Sequence, residues 1–230
     1  MKKIAILQSN YIPWKGYFDM IAAVDEFIIY DDVQFTKNDW RNRNKIKTPK
    51  GLEWLSIPVG QGINRRIRDV VIANSLWQDK HWKSIEANYS RAPHFDEVSS
   101  FLKPIYDKRA YNYLSQINRE LIEAVCVFLG ISTKIRNSWD YELGEGKTER
   151  LVDLCIQAGA NEYISGPSAK NYINPQIFTE KEIKLTWFEY NNYPDYVQLW
   201  GGGFQHGVSI IDLLFNCGKA SPHYMKYILG

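Results

Sequence analysis

The sequence predicts an α/β fold, a mostly parallel sheet flanked by helices and carrying an all-helical insertion or lid. Short apolar runs of strand length recur at Lys3–Leu7, Phe27–Tyr30, Thr133–Arg136, Glu162–Ser165 and Lys184–Phe188. Helical patterns separate most of them, and strands that alternate with helices assemble as parallel sheets. Between Ser75 and Gly130 no strand pattern occurs, while apolar residues return at helical spacing.

Each element follows from its local pattern. Lys3–Leu7 opens the chain as a strand, Gln8–Tyr17 is a loop holding Pro13 and Gly16, and Phe18–Val24 is a helix that leads into the strand Phe27–Tyr30. Gln8–Tyr17 sits where Rossmann-like sheets place the loop that meets a ligand, so the predicted sheet is Rossmann-like. Trp54–Val59 and Ile67–Ile72 read as strands around Gly60-Gln61-Gly62-Ile63-Asn64, whose glycines tolerate turn angles; a hairpin and a short excursion are both open. In the helical middle, Trp82, Ile85 and Tyr89 mark a helix closed by Pro93. Leu114, Ile117, Leu121, Val125 and Phe128 mark another, with Gly130 as its C-cap. Lys147–Ala158 is a helix with Leu151, Leu154 and Cys155 inward, and Val208–Phe215 is a buried helix ending before Gly218. The division that follows is 1–74 with the main site loops, 75–130 as helical insertion, and 131–230 completing the sheet.

The 230 residues, 45% hydrophobic and 23% charged, suffice for one real core or a domain with an insertion. A net charge of +2 gives no polyelectrolyte signal, so nucleic acid is not expected as a partner. Charge is local instead: Thr36–Lys50 holds six Lys/Arg against one Asp, which suits a phosphate or carboxylate. Cys126, Cys155 and Cys217 lie far apart among apolar neighbours and read as buried thiols; no spacing supports a metal site. The basic start Met1-Lys2-Lys3 precedes an apolar run too short for a signal peptide, and no run approaches a membrane span, so a cytoplasmic protein is expected.

Two polar clusters fall at the carboxyl ends of the first two strands, the edge where open α/β sheets bind ligands. In the first, Gln8, Ser9, Tyr11, Trp14 and Lys15 are binding candidates, and Gly16 would let a ligand approach the backbone. In the second, Asp31 and Asp32 suit a ribose contact or a proton acceptor, followed by Gln34, Lys37, Asp39, Trp40, Arg41, Arg43 and Asn44. Arg41 and Arg43, two apart, project to one side of an extended segment and would clamp a diphosphate; Trp40 would stack on a sugar or base, and Asn44 or backbone amides would hold an oxyanion. Solvated edges and turn caps are the bland alternatives. His81 is the first candidate for general base and His206 the second; His94 and His223 lack supporting neighbours. Ser165, Gly166 and Lys170 lie beyond another strand, and Tyr190 belongs to a tyrosine-rich loop suited to a sugar. Ser165 lacks a GxSxG elbow and reads as a binding hydroxyl.

Gln8–Phe18, Tyr30–Phe35, Asp39–Asn44, Tyr163–Gly166 and Ser209–Asn216 together resemble the WbqC-like protein family across nearly the whole chain. The resemblance implies a role in bacterial surface-polysaccharide synthesis, O-antigen above all, with an amino acid or another acyl group attached to an amino sugar. The expected reaction is amide formation on a nucleotide-linked amino sugar, with an acyl or aminoacyl thioester on a carrier protein or CoA as donor. An ATP-dependent ligase and a noncatalytic sugar-nucleotide-binding protein are the alternatives. The N-terminal strand, loop and helix also resemble pantothenate synthetase and related nucleotidyltransferase-like folds, whose histidine loop has no counterpart in Pro13–Tyr17.

Overall fold

A computed structural model describes residues 1–62 and 64–228; Ile63, in the expected glycine turn, lies outside the described residues. In chain order the first elements are β1 (Lys3–Leu7), α1 (Lys15–Ala22), β2 (Glu26–Ile29), β3 (Arg43–Thr48) and β4 (Gly51–Ser56). Three consecutive helices follow, α2 (Leu76–Tyr89), α3 (Phe95–Asp107) and α4 (Leu114–Leu129). The chain then alternates through β5 (Lys134–Asn137), α5 (Thr148–Gln157), β6 (Glu162–Ser165), α6 (Pro175–Glu180), β7 (Lys184–Trp187) and α7 (Ile210–Cys217).

Five strands form one sheet in the order β5-β2-β1-β6-β7, and every neighbouring pair is parallel. The chain steps outward from β1 through β2 to β5, then returns to the far side of β1 for β6 and β7. Winding therefore reverses between β1 and β6, where the carboxyl ends open a crevice suited to ligands.

Alternation along the strands separates two cores. Ile4, Ile6 and Ile28 face one side, packed with Leu151 and Leu154 of α5 and Phe178 of α6. Ala5, Phe27 and Ile29 face the other, packed against α1, α4 and α7 in a core continuous with that of α2 and α3. Helix α4 ends as its sequence dictates: Gly130 adopts φ 75° and the Ile131 amide donates to the Cys126 carbonyl at 2.9 Å.

Several elements depart from the expected bounds. Helix α1 begins at Lys15, three residues before Phe18, so Gly16 lies inside its first turn. Residues 54–56 pair with β3 in an antiparallel hairpin and do not pair with Ile67–Ile72; Ile67–Asp69 is one 3-10 turn, and a single Val59–Ile72 bridge remains of the expected pairing. Pro49 and Lys50 make the tight β3–β4 connection, with Gly51 at φ 107° and Thr48 Oγ1 donating to the Gly51 carbonyl at 2.9 Å. Helix α3 falls within the 75–130 stretch expected to be helical, whereas α6 lies in a stretch without an expected element.

Candidate functional site

The Gln8–Trp14 loop is held from below by buried polar groups. Asp31, at the end of β2, accepts the Ser9 amide at 2.8 Å, and Asn118 of α4 donates to Ser9 Oγ at 3.0 Å and to the Arg41 carbonyl at 2.9 Å. Asn44 of β3 donates to the carbonyls of Tyr11 and Ile12 at 3.1 and 2.8 Å. Ser209 and Ile210, at the start of α7, donate to the carbonyls of Lys45 and Pro13 at 2.9 Å each. Motifs from both ends of the chain thus meet on one loop.

Two pockets open beside it. The first, about 410 Å³, lies at the carboxyl ends of β2, β1 and β6 and at the start of α5; Gln8, Tyr30, Lys147, Arg150 and Ser165 are among its lining residues. The second, about 350 Å³, is walled by Trp14 and Trp40 with Asn10, Asn44 and His206. Gln8 lines one and Asn10, Pro13 and Trp14 the other, so a single loop serves both. Tyr190 packs on Trp14 with ring centroids 5.3 Å apart, and a side chain on Gly166 would meet its hydroxyl at 3.8 Å.

Gln8, Ser165 and Gly166 line the first pocket, and Trp14, Trp40 and Asn44 the second. Other candidates are drawn into the protein. Lys15 is buried, donates to the Pro194 carbonyl at 2.9 Å and lies 5.2, 5.4 and 5.6 Å from the rings of Tyr193, Tyr196 and Phe204. Burial pushes its ammonium down to about 8, partly opposed by Asp195. Arg41 bonds Asn10 Oδ1 and the Ser9 carbonyl, while Arg43 bonds the Asn38 carbonyl and stacks on Trp54 at 4.2 Å. The two guanidiniums turn to separate partners and make no joint clamp. The approach expected over Gly16 is filled, because a Cβ there would sit 2.4 Å from the Trp14 indole.

Asp32 is buried against Ser138 Oγ at 2.7 Å and Arg68 Nη1 at 2.8 Å, with Arg66 at 3.5 Å. Asp31 Oδ2 is buried without a hydrogen-bond partner, and burial raises its carboxyl to about 6 against the pull of the Ser9 bonds and Arg41. His81 is 6% exposed and lines neither pocket. Its Nε2 faces the Ser56 carbonyl at 3.2 Å and so carries the hydrogen, leaving Nδ1 to accept from the Tyr11 hydroxyl at 2.8 Å. Tyr11 OH in turn lies 2.7 Å from Tyr106 OH, and burial lowers the imidazole to about 4. Asp39 caps its own turn through the Trp40 amide at 2.7 Å; Gln34 and Lys37 are exposed outside both pockets, and Lys170 sits 5.6 Å over the Trp187 ring.

His206, second in the sequence ranking, is the histidine that lines a pocket, with its Nε2 3.5 Å from Asp195 Oδ1. Tyr30, Lys147, Arg150, Ser168 and Tyr172 were not expected at the site. A signal for the basic pair was present: Gly144-Glu145-Gly146-Lys147-Thr148 places glycines and a lysine directly before a helix. No group of three or more His, Cys, Asp or Glu positioned for a metal occurs among the described residues.

Fold and pockets define an α/β protein with a parallel five-stranded sheet and two neighbouring pockets at its carboxyl edge. The model of the WbqC-like protein family matches residues 8–224, and the chain belongs to that family. It is 56% identical over 230 residues to a Mycobacterium tuberculosis protein described as "Uncharacterized protein Rv1507c", covering 99% of each chain. No solved structure matches.

Proposed function

We propose that this chain is an N-acyl or aminoacyl transferase that forms an amide on a nucleotide-linked amino sugar in bacterial surface-polysaccharide synthesis of the O-antigen type. The observation that carries this reading is the second pocket, where two indoles, the Asn10 amide and the His206 imidazole converge in about 350 Å³. Indole faces cover the apolar faces of a pyranose, amides meet its hydroxyls, and an imidazole is suited to take the proton from an attacking amine. The sugar amine attacks the carbonyl carbon of an acyl or aminoacyl thioester, a C–N bond forms, and the C–S bond breaks. His206 accepts the amine proton and returns it to the leaving thiolate. Rossmann-like placement of the nucleotide at the β1/β6 reversal fits the neighbouring pocket. The helices of 75–130 line neither pocket and act here as anchor for Tyr11 through His81 and Tyr106.

The donor is a thioester on a carrier protein or CoA, and the protein works in the cytoplasm on a soluble sugar nucleotide. Among the described residues no helix is long and apolar enough to cross a membrane. Mass spectrometry of a panel of nucleotide-linked amino sugars, incubated with acyl and aminoacyl thioesters with and without ATP, tests the reading. An amide product without ATP is expected. Product only with ATP, with AMP and pyrophosphate released, assigns a ligase, and absence of any amide across the panel defeats both.

A further inference from the structure

We propose that the pocket at the ends of β1, β2 and β6 is a pyrophosphate-binding site for a nucleotide, with Lys147 and Arg150 as its anion-binding side chains. This deepens the preceding reading, on which the identity of the nucleotide rests; the anion site itself stands on its own geometry. The pocket occupies the β1/β6 reversal and measures about 410 Å³, a volume within the range of small-molecule sites. Its lining carries two cations and, among the described residues, no carboxylate. Three aromatic rings, Tyr30, Tyr163 and Tyr172, supply an apolar wall next to those cations. Such a pairing of apolar wall and fixed positive charge matches a ligand that is aromatic at one end and dianionic at the other.

Neither cation is neutralised by the fold. Arg150 spends its Nε on the Gly144 carbonyl at 2.9 Å, which restrains the guanidinium, and the residue lines the pocket. Tyr30, raised by burial, is pulled back down by the same guanidinium, which places Arg150 beside its hydroxyl. Lys147 is exposed and makes no ion pair among the described residues. Two acids lie close by without lining the pocket: Glu149 is folded back on Gly146 and Asp153 on Gly144. Gly146, at φ 85°, is favoured by its left-handed backbone angle. Gln8 and Ser165 complete the polar lining with an amide and a hydroxyl. By contrast Lys15, Arg41 and Arg43, the cations of the N-terminal loops, are already bonded to carbonyls and rings.

A pyrophosphate group reaches this pocket from a nucleoside-diphosphate sugar or from ATP, and the test separates the two. Isothermal titration of the full-length protein with inorganic pyrophosphate, UDP and ATP is compared between wild type, Lys147→Ala, Arg150→Lys and the Lys147→Ala/Arg150→Ala double variant. UDP binding that pyrophosphate competes for, weakened about tenfold or more by Lys147→Ala and abolished in the double variant, is expected. Tighter binding of ATP than of UDP, with the same loss in the variants, keeps the site and assigns it to an ATP co-substrate. Circular dichroism checks folding; Lys147 is exposed, so its variant retains the fold even where Arg150→Ala does not. No binding of any of the three ligands at millimolar concentration, or unchanged affinity in Lys147→Ala and Arg150→Lys, overturns the site. Binding that behaves as expected without amide formation overturns the transferase reading alone.

Discussion

Asn44 holds Ile12 in a left-handed conformation: its Nδ2 donates to the Ile12 carbonyl at 2.8 Å while Ile12, a β-branched residue, sits at φ 37°. That backbone angle costs about 1–3 kcal/mol and persists only where the surroundings over-determine it. Ile12 is 1% exposed and precedes Pro13, which narrows its choices further. The strained turn aims Trp14 across the start of α1 and into the second pocket. Asn44→Ala removes both carbonyl bonds, to Tyr11 and Ile12, and leaves two buried acceptors unpaired. The expected loss is about 2 kcal/mol, or roughly 4–8 °C in melting temperature, together with weaker ligand binding. Thermal melts with and without ligand check both.

Asp31 and His81 titrate in opposite senses over the same range of pH. The carboxyl of Asp31 is raised to about 6 in the fold, so the native state holds a proton that the unfolded chain releases near 4, and stability falls as pH rises across that interval. The imidazole of His81 is lowered to about 4, so the unfolded chain takes up a proton first, and stability falls as pH drops from about 6.5. Each effect is at most about 3 kcal/mol, and they largely cancel in the wild type. Asp31→Asn is expected to make the protein acid-sensitive between pH 6.5 and 4, and His81→Gln to make it more stable toward pH 4. Urea unfolding at half-unit pH steps checks the signs; parallel profiles for both variants contradict them.

What the sequence shows of this molecule depends on whether a residue's neighbours are local. Gly130 was readable as a cap because the apolar period of α4 stops beside it, and β1, β2 and β6 were readable as buried apolar runs. Strand β3 was not, since Arg43, Lys45 and Lys47 share a face and Ile46 is its one apolar residue; pairing with β4, which stacks Arg43 and Lys45 on Trp54, makes it a strand. Trp14, Trp40 and Asn44, singled out from the polar clusters after β1 and β2, line the second pocket. Which cations stay free was not readable: Lys15 is absorbed by Tyr193, Tyr196 and Phe204, residues almost the length of the chain away. Lys147 and Arg150 reach Gln8 only through the β5–α5 connection.

Trp40 is 41% exposed and packs on Trp54 with ring centroids 5.3 Å apart, so it contributes little to the core while forming one wall of the second pocket. Trp40→Ala is expected to leave the melting temperature within about 2 °C and, on the proposed function, to raise the KM for a sugar nucleotide roughly tenfold. Trp40→Phe retains a ring and recovers most of that loss. Steady-state kinetics beside thermal melts separates a binding wall from a packing residue, because a packing residue would shift stability first.

His206 lies on the long connection between β7 and α7, which is fixed by buried acids rather than by regular structure. Asp212, 0% exposed, accepts from Tyr196 OH at 2.7 Å and from Gln198 Nε2 at 2.8 Å. Gln198 Oε1 then accepts the Gln205 amide at 2.9 Å, and the Phe204 ring packs on His206 at 4.5 Å. Lys15 ties the same connection down at Pro194. The imidazole, packed on that ring, lies 3.5 Å from the exposed Asp195. His206→Ala is expected to lower kcat about a hundredfold or more with little change in KM, because the ring acts on the proton and not on ground-state binding. Asp195→Asn orients the ring less well and is expected to lower kcat by a smaller factor. Equal losses in kcat and affinity for His206→Ala would make it a wall of the second pocket instead of a base, and His206→Gln, which keeps the hydrogen bonding but not the basicity, separates the two: it keeps binding in either case and restores kcat only if proton transfer lies elsewhere.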